Sequence, residues 1–338
     1  MKRPSIVIKD KTQGLPYSKG LMAASLSVSG IPVAKAFTLA AEIEESLLEL
    51  DRFEVTTDEL RRIAAEALES VDRTYATSYL NWQEVEDLNI PLVILLGGAT
   101  GVGKSTVATQ LAARLGITRV ISTDAIREVL RAAVSRDLLP MLHVSSFNAD
   151  TVLEVPLSEG IDSVIMGFQE QVQLVSVGVK ALIARAIEEG TDIIVEGAHL
   201  VPGFLQGWEE EFKEAVVVPI VMSVSAEELH RSHFEIRAGE VRNRPRHKYL
   251  SSFDKIRRIQ GYINSLAKER DVPVVEVFDL DSTLQEITSF VITSALERAQ
   301  ARGVLEEKPQ AEGPEDLQQT KKLSRMKSWE VLGRRQKK

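Results

Sequence analysis

The sequence predicts an α/β protein: a phosphate-loop parallel sheet flanked by helices, preceded by a small, mainly helical domain. Three observations carry this. Leu92-Val93-Ile94-Leu95-Leu96 is an unbroken apolar run of strand length, the pattern of a strand buried on both faces. From there strand-like and helix-like segments alternate over about 210 residues, which calls for crossover connections and hence parallel strands. The apolar run also leads into Gly98-Ala99-Thr100-Gly101-Val102-Gly103-Lys104-Ser105, a glycine-rich turn placed between a strand and a helix.

Taken in order, residues 1–88 form the small domain. Ile6-Val7-Ile8 reads as a short strand, with a turn near Thr12-Gln13-Gly14. Helical spacing then covers 20–28, 34–50 and 58–80. The third helix opens at Thr57-Asp58-Glu59-Leu60, with Thr57 as its cap. Its apolar stripe is Leu60, Ile63, Ala64, Ala67, Leu68 and Val71. Residues 89–302 form the α/β domain. After 92–96 its strands are expected at 119–122, 193–195, 216–224 and 274–278. Its helices are expected at 106–115, 124–136, 169–189, 226–237, 252–268 and 283–302. Residues 303–338 lose all periodicity and read as a disordered tail.

Composition narrows the class. With 44% hydrophobic and 27% charged residues the chain is an ordinary globular one. No apolar run approaches the roughly eighteen residues of a membrane span. Met1-Lys2-Arg3-Pro4-Ser5 is not followed by an apolar signal core, so a cytoplasmic protein is expected. Cysteine is absent, which excludes disulfides, thiolate metal sites and cysteine nucleophiles. A net charge of −8 argues against a nucleic-acid binder. The exception is the stretch 321–338, where Lys321, Lys322, Arg325, Lys327, Arg334, Arg335, Lys337 and Lys338 face only Glu330. Whether the chain forms a homo-oligomer stays open.

The glycine turn matches G-x-x-x-x-G-K-[ST], and chemistry explains the spacing. Gly98, Thr100, Gly101, Val102, Gly103 and Thr106 supply backbone amides that turn inward around the phosphates of ATP, at the positive end of the next helix. Lys104 reaches the β- and γ-oxygens, and the Ser105 hydroxyl ligates Mg²⁺. A carboxylate is also needed at the carboxyl ends of neighbouring strands. Glu196, at the end of strand 193–195, is the metal candidate, acting through water. Asp124, after strand 119–122, is the catalytic candidate; its alternative role is helix-dipole stabilisation. Transfer also needs cations on the developing charge. Residues 231–258 hold nine Lys/Arg against Glu235, Glu240 and Asp254, and their helix opens on Ser225-Ala226-Glu227-Glu228 as a capping box. Arg237, Arg242, Arg244 and Arg246 cluster around Gly239 and Pro245, so this segment reads as a lid. Arg242 and Arg246 are its catalytic candidates.

Several runs resemble one family, the 2-phosphoglycerate kinases. They include Gly97 through Thr106, Ser122-Thr123-Asp124-Ala125-Ile126-Arg127-Glu128 and Ser145-Ser146-Phe147-Asn148-Ala149. Two more are Glu196-Gly197-Ala198-His199-Leu200-Val201-Pro202-Gly203 and Arg246-His247-Lys248-Tyr249-Leu250. The first 88 residues look like an ATP-cone, on Ile6-Val7-Ile8-Lys9-Asp10 and Leu15-Pro16-Tyr17-Ser18-Lys19-Gly20. The resemblance implies an ATP-dependent phosphotransferase, converting 2-phosphoglycerate to 2,3-bisphosphoglycerate with ATP and Mg²⁺. It implies Asp124 beside the acceptor hydroxyl and Arg127 on the acceptor's anionic groups. His143, Ser145, Ser146 and His199 join Arg127 as acceptor-side candidates, with His143 equally placed as a structural histidine. In the small domain Lys9, Lys19 and Lys35 are the phosphate candidates of a regulatory nucleotide site. Two alternatives stand beside this reading. One is a kinase of another small phosphorylated hydroxy acid or polyol. The other is a nucleotide-gated binding protein whose basic tail recruits nucleic acid or anionic lipid.

Overall fold

A computed structural model of the chain describes residues 6–9, 14–49, 52–154, 158–204, 207–240, 246–301 and 303. The expected tail therefore lies outside the described residues, apart from Gly303. Residues up to Arg298 gather into one compact unit built on two sheets.

The first sheet has three short strands, β1 (Val7–Lys9), β2 (Gly14–Pro16) and β3 (Glu54–Thr56), in the order β2-β1-β3. β1 runs antiparallel to β2 and parallel to β3. The sequence predicted β1 but neither partner, because three residues are too few to show an alternating pattern. Helices α1 (Lys19–Ser27) and α2 (Val33–Glu49) follow the first hairpin. The single helix expected at 58–80 is two: α3 (Thr57–Val71) and α4 (Arg73–Asp87). Asp72 separates them with an extended backbone (φ −162°, ψ 133°), and its carboxylate accepts from the Thr74 amide as the cap of α4. Apolar residues keep helical spacing across this break, so the period alone conceals it. The α3 cap is Thr56 rather than Thr57. Its hydroxyl accepts from Glu59 N while the Glu59 carboxylate accepts from Thr56 N, a reciprocal capping box.

The second sheet is β4 (Leu92–Gly97), β5 (Val120–Ser122), β6 (Ile193–Gly197), β7 (Val216–Ser223) and β8 (Val274–Glu276), all parallel in the order β5-β6-β4-β7-β8. Every residue of β4 is buried, as its unbroken apolar run predicts. Successive side chains serve opposite faces. Ile94 and Leu96 enter the core shared with α5 (Lys104–Leu115) and α11 (Phe253–Glu269). Val93 and Leu95 enter the core shared with α7 (Ser163–Glu188). Each such side chain contributes about 1.5–3 kcal/mol relative to exposure.

Between β5 and β6 the chain forms α6 (Thr123–Ala133), two 3-10 turns at Pro140–His143 and Ser146–Val152, and α7. α7 starts earlier than predicted because Asp162 caps it, accepting from Val164 N and Ile165 N. α8 (Trp208–Glu211) precedes β7. Then come α9 (Glu227–Glu240), α10 (Arg246–Ser251), α11 and α12 (Leu280–Ala301). Ser225, expected to open a capping box, turns to the end of β8 instead: its amide and its hydroxyl both donate to the Glu276 carboxylate, so the amide that Glu228 would accept from is taken. α1 packs directly on α5, the helix that follows the glycine turn.

Candidate active site

The register of the parallel sheet assembles the site. Leu96 and Ser122 both lie beside Glu196, and Gly97 lies beside Gly197. The glycine turn, the Glu196 carboxylate and the start of α6 thus share one carboxyl-terminal edge, where α/β sheets collect ligands.

The turn itself has the backbone that an anion cradle requires. Gly98, Gly101 and Gly103 hold φ of +138°, +93° and +90°. A Cβ on Gly101 would stand 2.3 Å from the Phe234 ring, so a larger residue cannot occupy it without displacing α9. Gly103 is the N-cap of α5 and offers no side chain to its first amides. Those donors point at the cavity with the positive end of the helix dipole. Lys104 is buried and its Nζ donates to the Ala99 carbonyl at 2.7 Å. The Ser105 hydroxyl donates to Glu196 Oε1 at 2.8 Å, although 91 residues separate them.

These groups open on a cavity of about 470 Å³. Thr100, Gly101, Lys104, Ser105 and Glu196 line it together with Ser122, Asp124, Arg127, Ser145 and Ser146. Asp124 is the most accessible acid there, its side chain 75% exposed at the first turn of α6. Arg127 lies 3.7 Å from Asp124, but its guanidinium is largely committed. It donates to the carbonyls of Leu142 and Val144 at 2.9 and 3.0 Å and to Glu128 at 2.9 Å. Its Nε is buried without a hydrogen-bond partner.

Two predicted acceptor residues do not line the cavity. His143 bonds the Val134 carbonyl through Nε2 at 3.0 Å, the structural alternative. His199 is 1% exposed and lies between Thr123 and Gln171. Burial pushes its pKa down to about 4, so the ring is neutral. Gly98, Val102, Gly103 and Thr106 do not line the cavity.

The basic segment divides. Arg231 lies 3.9 Å over the Phe253 ring; Lys255 pairs with Asp150 at 2.7 Å; Arg257 donates to the Val224 and Ser225 carbonyls; Arg258 pairs with Asp162. These four are structural anchors. Arg242 and Arg244 lie outside the described residues, as do the side chains of Arg237, Arg246 and Lys248.

Three contributors were not anticipated. His230 and His233 on α9 bond the carbonyls of Thr100 and Gly101 at 2.8 and 2.9 Å, holding the outer side of the glycine turn. Their spacing of three residues, on one helix face, was the available signal. Tyr249 lines the cavity and stacks on Phe234 with centroids 5.3 Å apart.

Among known proteins, a family model described as an AAA domain matches residues 93–258. A 2-phosphoglycerate kinase from Thermococcus kodakarensis is 42% identical over 274 residues, 81% of this chain and 91% of that protein. One from Methanothermobacter thermautotrophicus is 41% identical over 273 residues, 80% and 89% of the two chains. Among solved structures, a shikimate kinase from Acinetobacter baumannii aligns over 63% of this chain and 97% of its own. Its identity of 16% and TM-score of 0.36 are too low to bear on chemistry. Identity near 40% across nearly the full length of the relatives places this chain in the 2-phosphoglycerate kinase family.

Proposed function

We propose that this chain transfers the γ-phosphate of ATP to the free hydroxyl of 2-phosphoglycerate, releasing 2,3-bisphosphoglycerate and ADP. The observation that carries the reading is the Ser105–Glu196 hydrogen bond at the mouth of the glycine turn, on a cavity that Asp124, Ser145 and Ser146 also line. A hydroxyl and one carboxylate fit Mg²⁺, which takes few protein oxygens and completes its shell with phosphate and water. When bound, Mg²⁺ supplies charge neutralisation at the β- and γ-phosphates.

The chain's own groups do the rest. Turn amides and Lys104 hold the phosphates, with Lys104 giving up the Ala99 carbonyl to reach them. Asp124 takes the proton from the acceptor hydroxyl as its oxygen bonds to the γ-phosphorus and the bond to the ADP oxygen breaks. Ser145, Ser146 and the exposed part of Arg127 that lines the cavity meet the acceptor's carboxylate and phosphate. Arg242 and Arg246, from the segment after α9, add positive charge to the transferring group. Incubating the protein with ATP, Mg²⁺ and a panel of phosphorylated three-carbon acids tests the reading. ADP should form with 2-phosphoglycerate; turnover only with another acid moves the assignment to that acceptor.

We further infer a regulatory nucleotide site in the N-terminal module. Its support is a cavity of about 340 Å³, lined by Leu15, Tyr17, Leu21, Met22, Leu60 and Tyr79 among others. Lys9 and Lys19 are paired with Glu54 and Glu44 and do not line it. Equilibrium dialysis of the Lys104→Ala protein should still retain one ATP per chain; none retained removes this site.

A further inference from the structure

Behind the acceptor-side residues runs a buried polar chain that none of these steps uses. Thr123, Gln171 and His199 are 0%, 0% and 1% exposed. Gln171 Nε2 donates to the Met141 carbonyl and, at 3.1 Å, to the Val144 carbonyl. Both amide hydrogens are then used, and the opposite amide orientation would set an oxygen against two carbonyl oxygens. Gln171 Oε1 must therefore accept, and His199 Nε2, 3.0 Å away, must carry the ring proton. His199 Nδ1 is left as an acceptor, and the Thr123 hydroxyl 2.8 Å away donates to it. Counting donors fixes one tautomer and one direction for the whole chain.

Each end of the chain holds part of the cavity. Thr123 is the first residue of α6, next to Asp124. Met141 and Val144 lie just before Ser145 and Ser146. Arg127 grips the same loop, sharing the Val144 carbonyl with Gln171. Gly197 makes the junction possible, since a Cβ there would stand 1.8 Å from Thr123 Oγ1. Farther along, the loop has independent anchors: Asp150 pairs with Lys255, and the backbone at Ala149 lies against Gly167. Within 139–146 the polar chain shares its hold with Arg127 and with the His143 bond to the Val134 carbonyl, and among the described residues it alone reaches the Met141 carbonyl by a buried side chain.

We propose that His199 and Gln171 are positioning residues for the acceptor, tying the loop that carries Ser145 and Ser146 to the start of α6 and so setting the width of the acceptor half of the cavity. The phosphate loop is held separately, by His230 and His233. The proposal rests on the 2-phosphoglycerate reading only for its kinetic test.

Gln171→Leu removes both arms at similar side-chain volume. The KM for 2-phosphoglycerate should rise about tenfold or more, while the KM for ATP stays within about twofold. Amide hydrogen exchange should quicken across 139–146 and stay unchanged across 98–105. His199→Gln keeps a donor towards Gln171 and should show a smaller rise. Thr123→Val cuts only the α6 arm, and with His199→Gln it supplies the comparison if Gln171→Leu fails to fold. A folded variant with unchanged acceptor KM and unchanged exchange overturns the proposal, as does an equal loss for ATP and acceptor. Wild-type protein inert with 2-phosphoglycerate sinks the substrate reading instead, and the exchange pattern still decides the positioning role.

Discussion

Glu196 illustrates what a single residue does through its neighbours. It is 6% exposed at the end of β6, and its Oε1 is engaged by Ser105. Burying a carboxylate is costly without compensation, so its place beside the phosphate loop has a chemical purpose. Glu196→Gln keeps the shape and the hydrogen bond to Ser105 but removes the charge. Steady-state assays over a Mg²⁺ titration should show kcat lowered about a hundredfold and saturation shifted to higher Mg²⁺. An unchanged Mg²⁺ dependence would remove Glu196 from the metal role. Arg127, expected to be an anion ligand, lines the cavity, and most of its donors also hold the Leu142 and Val144 carbonyls and Glu128.

At the scale of elements, α9 is the support of the phosphate turn. Its His230 is fully buried, stacks on Phe234 at 5.4 Å and donates from Nε2 to the Thr100 carbonyl. His230→Phe preserves the ring and leaves that carbonyl unpaired, which costs about 1–3 kcal/mol. Chemical denaturation should register the loss, and ATP should bind more weakly than 2-phosphoglycerate does. A variant with normal ATP affinity would show that the turn needs no help from α9. The same helix was expected to be a lid element. The arginines on which that expectation rests, Arg237, Arg242, Arg244 and Arg246, lie with their side chains outside the described residues, while Arg231, Lys255, Arg257 and Arg258 are engaged by Phe253, Asp150, the Val224 carbonyl and Asp162.

For the whole molecule, two buried histidines tie stability to pH. Desolvation pushes His199 and His230 down to about 4, against about 6.5 in the unfolded chain. Below pH 6.5 the unfolded state takes up protons that the folded state refuses. Stability therefore falls as pH drops from about 6.5 towards 4, by up to about 1.4 kcal/mol per pH unit for each histidine. Thermal midpoints measured from pH 7.5 to 5 should trace this fall, and the His199→Gln variant should flatten it; an equal slope in both proteins would remove His199 as a source. The tail is a separate matter of scale. Deleting 305–338 should leave KM and kcat within about twofold, since every residue assigned to the reaction precedes it. A large loss would join the tail to the reaction. The sequence by itself determined the parallel sheet and the phosphate loop, because a buried strand must be apolar on both faces and an anion cradle must have its glycines and lysine at fixed local spacing; the family resemblance lay in longer runs such as Glu196 to Gly203. Only the tertiary structure decided the break at Asp72, the diversion of Ser225 to Glu276 and the withdrawal of His143 and His199 from the cavity. Those outcomes depend on which distant donors and acceptors come within about 3 Å, and hydrogen bonds of that length leave no period in the chain.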